Sequence, residues 1–245
     1  MPVIEGDFTD LLSKDLPARA LSSFYKYHVR DYLPPTAVVT LNSVEVKHDR
    51  PLDRYSLFVN SGDNPEYERV LISYIESYAE TGDTAVIVGG GWGVSTVVTA
   101  REVGHTGHVH TYEVGQKQAR FASETVKRND VADWCDIHHS AVSPTVNAFN
   151  PPKDANHITG QELPDSDILI VDCDGAEFQV LESIDNNPER LIVEHHAVDN
   201  SSGEIVVEYQ PDRVEEKLLD MGYSLEEFNE GNHRLDKNIH WVGIK

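Results

Sequence analysis

The chain of 245 residues has little cysteine, few basic residues and no long apolar run. Its two cysteines, Cys135 and Cys173, fall in segments that read as buried strands, and they form no C-x-x-C pair. That argues against a disulfide scaffold or a cysteine zinc framework and sets the expectation of a reducing, cytoplasmic setting. Only 20 lysines and arginines stand against 42 acids, and the formal charge of −22 is spread along the chain. Without a basic footprint to meet phosphates, no nucleic-acid partner is expected. The longest uncharged stretch, Thr84 to Ala100, is too short and too glycine-rich for a membrane span. Residues Met1 to Asp7 lack the basic and apolar regions of a secretory signal, so a soluble protein is expected.

What is present is organised around residues 84 to 113. The run Thr84-Ala85-Val86-Ile87-Val88 leads into Gly89-Gly90-Gly91-Trp92-Gly93-Val94-Ser95-Thr96, and a second run, His108 to Glu113, ends on an acid. This reads as a strand, a glycine turn, a helix, and a second strand with a carboxylate at its tip. Glycines let backbone amides approach a ligand, and the helix N-terminus adds positive dipole. A carboxylate about 20 residues on can accept hydrogen bonds from both ribose hydroxyls. Spacing narrows the ligand. The dinucleotide pattern G-x-G-x-x-G fails, since counting from Gly91 puts its third glycine on Thr96, and no Lys-Ser/Thr follows the glycines as a P-loop requires. What remains is G-x-G-x-G at Gly89, Gly91 and Gly93, the pattern of S-adenosylmethionine (SAM) enzymes of the Rossmann-like class. Glycines that merely serve a tight turn are the plainer reading, and Glu113 tips the balance toward a cofactor.

Around this centre the pattern predicts two parts. Residues 1 to 62 form an N-terminal helical and hairpin extension, with one or two helices from Asp7 to about Tyr32. There, Ala37–Leu41 and Ser43–Val46 flank Asn42 as a strand pair. Residues 63 to 245 form the cofactor-binding domain. A helix over residues 64 to 80 starts with Asn64 as N-cap and Pro65 at its first position, and lines Tyr67, Val70, Leu71, Tyr74, Ile75 and Tyr78 along one face, more as core than as a ligand box. Further helices are expected over Ser95–Val103, Gln116–Asn129, Ala176–Ile184 and Pro211–Met221. Strands are expected at Cys135–Val142, Ile168–Val171 and Leu191–His196, and their continuous apolar runs imply a parallel sheet covered on both faces. Tyr223–Phe228 and Ile239–Lys245 suit an antiparallel edge, and residues 143 to 166 suit a covering loop.

Strand alternation places Asp172 and Asp174 on one rim, and likewise Glu194 and His196. If their strands are neighbours, these groups meet at the crevice where open α/β sheets bind ligands. Carboxylates converging there can deprotonate a hydroxyl, hold a divalent cation or orient an amine, which makes Asp172, Asp174, Glu194 and His196 the candidate catalytic set. The histidines at 105, 108, 110, 138 and 139 are not expected to form a metal site, because adjacent histidines on a strand face opposite sides and no H-x-x-x-H sits on a helix. Trp92 could pack on a cofactor or on the N-terminal helix, and the sequence does not choose.

The order of landmarks resembles the FkbM family of SAM-dependent O-methyltransferases. The matching residues are Tyr67-Glu68, the G-x-G-x-G turn, Val109-His110-Thr111-Tyr112-Glu113, Asn129 and Ser140-Ala141-Val142-Ser143. Further on come Asp172-Cys173-Asp174-Gly175-Ala176-Glu177, similar to the family's D-x-E-G-x-E, then Leu181 and Val193-Glu194-His195-His196. The chain departs from the family at Ile87, where an acid commonly opens the glycine motif, at Ile170, where a lysine is often found, and at Asp174, where the family has Glu. The resemblance implies a Rossmann-like α/β fold: a seven-stranded, mostly parallel sheet with helices on both faces and an antiparallel C-terminal edge strand. It implies SAM as cofactor and methyl transfer to a hydroxyl of a sugar, glycan or small metabolite. Gly89, Gly91 and Gly93 would cradle the methionine portion, Glu113 the ribose and Ser140 and Ala141 the adenine edge, with Asp172 near the methionine end. Aminopropyl transfer on the same fold and a non-catalytic binding module are the alternatives. The oligomeric state is not legible.

The plainest reading of the −22 charge is adaptation to high salt, where the Debye length falls to about 3 Å at 1 M and self-repulsion is screened. The thermal midpoint should therefore rise steeply between low and molar salt in a melting scan; a flat response would remove this reading.

Overall fold

The computed structural model describes residues 24, 28–29, 32–33, 37–49, 64–142, 155–173, 175–185, 187–196, 198–199, 205–207, 211–229 and 238–245, with only the backbone at His196 and at some other strand positions. Most of the segment read as N-terminal helices, the first part of the covering loop, and Asp174 lie outside the described residues. The chain divides into two compact units after Pro65.

In the first unit β1 (Ala37–Leu41) pairs antiparallel with β2 (Val44–Asp49). The two linking residues, Asn42 and Ser43, are both left-handed (φ 47° and 62°), as the tight primed hairpin turns require. Asn64 does not cap a helix. Its N–H donates to the Thr40 carbonyl at 3.0 Å, which draws it into a bridge beside β1.

In the second unit the first helix, α1 (Arg69–Tyr78), begins four residues later than the Asn64-Pro65 signal suggests, after a left-handed Glu68 (φ 48°). Burial of Val70, Leu71, Ile72, Tyr74 and Ile75 fixes its inner face. The remaining helices are α2 (Val94–Val103), α3 (Gln116–Arg128), α4 (Glu177–Ser183) and α5 (Pro211–Asp220). The strands are β3 (Thr84–Val88), β4 (His108–Glu113), β5 (Cys135–Val142), β6 (Asn156–Ile158), β7 (Ile168–Val171), β8 (Arg190–His196), β11 (Ser224–Asn229) and β12 (Asn238–Ile244). A small separate ladder joins β9 (Val198–Asp199) to β10 (Ile205–Val207).

The main sheet has eight strands in the order β11-β12-β8-β7-β3-β4-β5-β6. From β8 to β6 all neighbours run parallel, and β12 and β11 add the antiparallel edge. The expected sheet of seven is one strand short because Asn156–Ile158, within the stretch read as a loop, pairs with Ser140–Val142. Its three residues are too few to carry a periodic signal. Helices cover both faces. Val86, Leu169, Val171, Leu191 and Val193 pack with Val180 and Leu181 of α4 and Val214 and Leu218 of α5. On the other face Thr96 of α2 and Thr111 of β4 share a buried hydroxyl pair at 3.0 Å. Strand order reverses at β3, which pairs with β4 on one side and β7 on the other, and a crevice opens beyond the carboxyl ends of such strands.

At the opposite strand ends, the buried Arg190 donates to Asp83 Oδ1 at 2.9 Å and to the Tyr78 carbonyl at 2.8 Å. Asp83 Oδ2 in turn accepts the Glu80 N–H. One guanidinium thus joins the end of α1 and the entry to β3 to the first residue of β8. Replacing Asp83 by Ala strands that charge with only partial partners, so Asp83→Ala should cost about 3 kcal/mol in urea unfolding. A cost within about 0.5 kcal/mol, the range of ordinary surface substitutions, would refute the role.

Candidate functional site

The glycine turn between β3 and α2 is held from two sides. Gly89 has φ +101°, and a Cβ there would lie 1.5 Å from the Asp172 carbonyl oxygen, so this turn and the end of β7 touch backbone to backbone. The contact is locked by Gly89 N–H donating to the Tyr112 carbonyl and Asp172 N–H to the Val88 carbonyl, both at 2.9 Å. Gly93, at φ +83°, precedes α2, and a Cβ there would come within 2.8 Å of the Ala122 Cα in α3. Only glycine fits either place.

Glu113 at the tip of β4 is buried, and its carboxylate is turned onto this loop. Oε2 accepts the N–H groups of Gly90 at 3.1 Å and Gly91 at 2.8 Å, and Oε1 accepts that of Gly115 at 2.6 Å. Gly115 directly precedes α3, so one carboxylate gathers the turn, the end of β4 and the start of the next helix.

Beyond the strand ends lies a cavity of about 600 Å³, within the size range of cofactor sites. Of the residues expected to hold a cofactor, Gly89, Gly91, Glu113, Ser140, Ala141 and Asp172 all line it. Gly93 is not in the wall and supports the turn from behind, against α3. Of the candidate catalytic set, only Asp172 lines the cavity. Glu194 is buried and pairs with His240 Nε2 of the neighbouring β12 at 3.3 Å. Asp174 lies outside the described residues, and His196 is described by its backbone alone. Trp92 lines the cavity and stacks on Phe121 of α3, with ring centroids 4.7 Å apart and planes 21° apart.

Several functional-looking residues escaped the sequence reading. Tyr67 and Glu68, counted there with the helix before the first strand, stand in the cavity wall. Burial pushes the Tyr67 phenol far above the ordinary tyrosine range, and a hydrogen bond to Glu68 together with the carboxylates of Glu68, Asp172 and Glu194 pushes it further. It therefore stays a neutral hydroxyl beside acids. Glu177, the last acid of the Asp172-to-Glu177 motif after β7, is fully buried: Oε1 accepts the Gly175 N–H at 2.7 Å, and Oε2 meets His195 Nδ1 at 3.0 Å. That pair ties the turn after β7 to β8. Its signal in the sequence was its place at the end of the Asp172-to-Glu177 motif, which gave no hint of the partner His195. Ile87 and Ile170, two of the three positions that depart from the resemblance, are cross-strand neighbours with no exposed surface, sealed inside the sheet and away from the cavity.

No protein-family model matches the chain, and no curated protein matches its sequence. Solved structures do. A SAM-dependent O-methyltransferase from Thermotoga maritima superposes with a TM-score of 0.50 at 14% identity, over 74% of this chain and 65% of that one. This chain thus spans just under two-thirds of that protein's length. A SAM-dependent methyltransferase from Aquifex aeolicus gives 0.50 at 16% identity, over 73% of this chain and 89% of that one. A ribosomal protein L11 methylase from Lactobacillus delbrueckii subsp. bulgaricus gives 0.52 at 12%, over 74% and 79%. The fold is the Rossmann-like fold of methyltransferases. At these identities the likeness speaks for the fold alone, and the chemistry has to come from the cavity.

A side chain at Gly89 would have to push the turn off β7. Gly89→Ala should therefore lower the urea midpoint more than Gly91→Ala, whose added Cβ meets nothing within 4 Å. The latter should cost only the left-handed strain of roughly 1–2 kcal/mol. Equal midpoints for the two variants would refute the close approach.

Proposed function

We propose that this chain is a SAM-dependent methyltransferase of FkbM type that methylates a hydroxyl on a sugar, a glycan or a small metabolite. The observation that carries the reading is the charge of the cavity wall. Among the described residues, Glu68, Glu113 and Asp172 line it against a single cation, Lys117. Such a wall repels the diphosphate of a dinucleotide and suits a ligand with a positive sulfonium and ammonium. The glycine turn supports the same reading, since a backbone without side chains at Gly89, Gly90 and Gly91 lets a ligand lie close against the cavity edge.

When bound, SAM supplies a methyl group on a cationic sulfur, ready for displacement by an oxygen. This chain's residues bind, align and handle the proton. On this reading Glu113 takes the ribose hydroxyls, Ser140 and Ala141 flank the adenine, and Gly89 and Gly91 hold the methionine portion with Gly93 supporting the turn. Asp172 stands at the methionine end. The proton of the acceptor hydroxyl goes to a carboxylate or histidine of the set Asp172, Asp174, Glu194 and His196, with Asp172 favoured because it already lines the cavity. Tyr67, held protonated, donates a hydrogen bond and is not a base. Alignment accounts for most of the acceleration, because holding two reactants in line removes the entropic cost of their encounter.

The acidic surface fits the proposal of a salt-adapted cytoplasmic enzyme with no nucleic-acid partner, and among the described residues no helix is long and apolar enough to cross a membrane. Aminopropyl transfer would also suit an acidic wall, and transfer of label from methyl-labelled SAM to a hydroxyl acceptor separates the two. Calorimetry in high salt should detect both SAM and its demethylated product, and no binding to the wild type would overturn the reading. Glu113→Ala should weaken SAM binding about tenfold to a hundredfold, the worth of hydrogen bonds to a charged group. Unchanged affinity in that variant would remove the ribose role.

A further inference from the structure

A second cluster of chemistry-bearing side chains sits at the other end of the same strands. His108 and His110 are two apart on β4 and so share a face, and the parallel register places His110 beside Asp136 of β5. The result is convergent: His108 Nε2 lies 2.9 Å from Asp136 Oδ2, and His110 Nδ1 lies 3.7 Å from that same oxygen. All three donor atoms fall within 4.8 Å of one another. We propose that His108, His110 and Asp136 bind a divalent cation of the zinc class, a site separate from the cofactor cavity.

The arrangement suits a shared cation. One imidazole nitrogen lies within hydrogen-bond reach of the aspartate oxygen, and a second is brought toward the same atom at 3.7 Å, too long for a hydrogen bond but close enough for both to converge on one ion. The two rings stand 4.6 Å apart between centroids, which is unfavourable if both are protonated and natural if both are neutral ligands of one ion. Tetrahedral zinc with ligand bonds of about 2.0–2.1 Å spaces its donors at about 3.4 Å, and small side-chain rotations bring these three there. Two imidazoles with one carboxylate favour zinc and its neighbours over magnesium or calcium, which prefer all-oxygen shells. The side chains keep 36%, 23% and 56% of their surface exposed, so an ion can enter and water can complete the shell. Such an ion would staple β4 to β5 near the sheet margin, where only the three-residue β6 follows.

The sequence set these histidines aside as ligands, and Asp136, 26 residues beyond His110, joins them only through the parallel register. The test uses the full chain stripped of metal by a chelator. Calorimetry with Zn²⁺ should show one equivalent bound, and Co²⁺ substitution should give the strong visible absorption of a tetrahedral site. His108→Ala and Asp136→Asn should each weaken Zn²⁺ binding at least about tenfold, since losing even an outer-shell partner costs that much. His105→Ala, an exposed histidine outside the cluster, should leave it unchanged. Zn²⁺ should raise the melting temperature of wild type and not of Asp136→Asn. Absence of stoichiometric binding, or equal affinity in wild type and both cluster variants, would overturn the proposal. SAM binding is read separately and does not bear on the outcome.

Discussion

The pocket depends on one buried carboxylate. Glu113 accepts three backbone N–H groups, from Gly90, Gly91 and Gly115, and charge-assisted bonds of this kind are about twice as strong as neutral ones. The amides serve two constraints: two set the glycine turn, and the third sets the start of α3. Remove the carboxylate and those amides lose a partner in a place where water enters poorly. The contact between Gly89 and the Asp172 carbonyl then extends the order to the end of β7, so Glu113 and Asp172, two of the three acids on the cavity wall, are positioned by the same turn. The geometry that faces the cavity thus follows from how the turn is held.

Much of the fold could be read from the sequence because the central strands are buried on both faces. Runs such as Ile168–Val171 need no partner to be recognised, and β5 and β7 have the bounds expected of them. Helix ends marked by glycine were equally clear, as at Gly104 after α2. The start of α1 was not. Asn64-Pro65 carries every local sign of an N-cap, but the Asn64 N–H is claimed by the Thr40 carbonyl, a contact between residues 24 apart. The eighth strand escaped for a similar reason, since Asn156–Ile158 is a strand only because β5 offers it an edge.

The site divides along the same line. Gly89, Gly91 and Glu113 announce themselves through spacing within one β-turn-α-β unit, which is local information. Tyr67, and the pairs Glu177–His195 and Glu194–His240, depend on which strands and helices become neighbours, and no pattern in one segment reports that. Register decides these polar contacts just as it decides His110 and Asp136.

The departures at Ile87 and Ile170 can be understood from their positions. The two residues face each other across β3 and β7 with no surface exposed. An acid at the first site alone would be a buried charge without a partner, and so would a lysine at the second; such groups are strongly disfavoured unless paired. Together an acid and a lysine there could neutralise each other, and together two isoleucines pack as apolar neighbours. A single replacement is the costly state. Two isoleucines in register avoid that cost and seal the sheet as an apolar pair. Neither residue is in the cavity wall, whose negative lining comes from Glu68, Glu113 and Asp172. On the proposed reading, the acids that meet the cofactor's positive end come from the strand tips and the turn before α1, and none has to come from position 87.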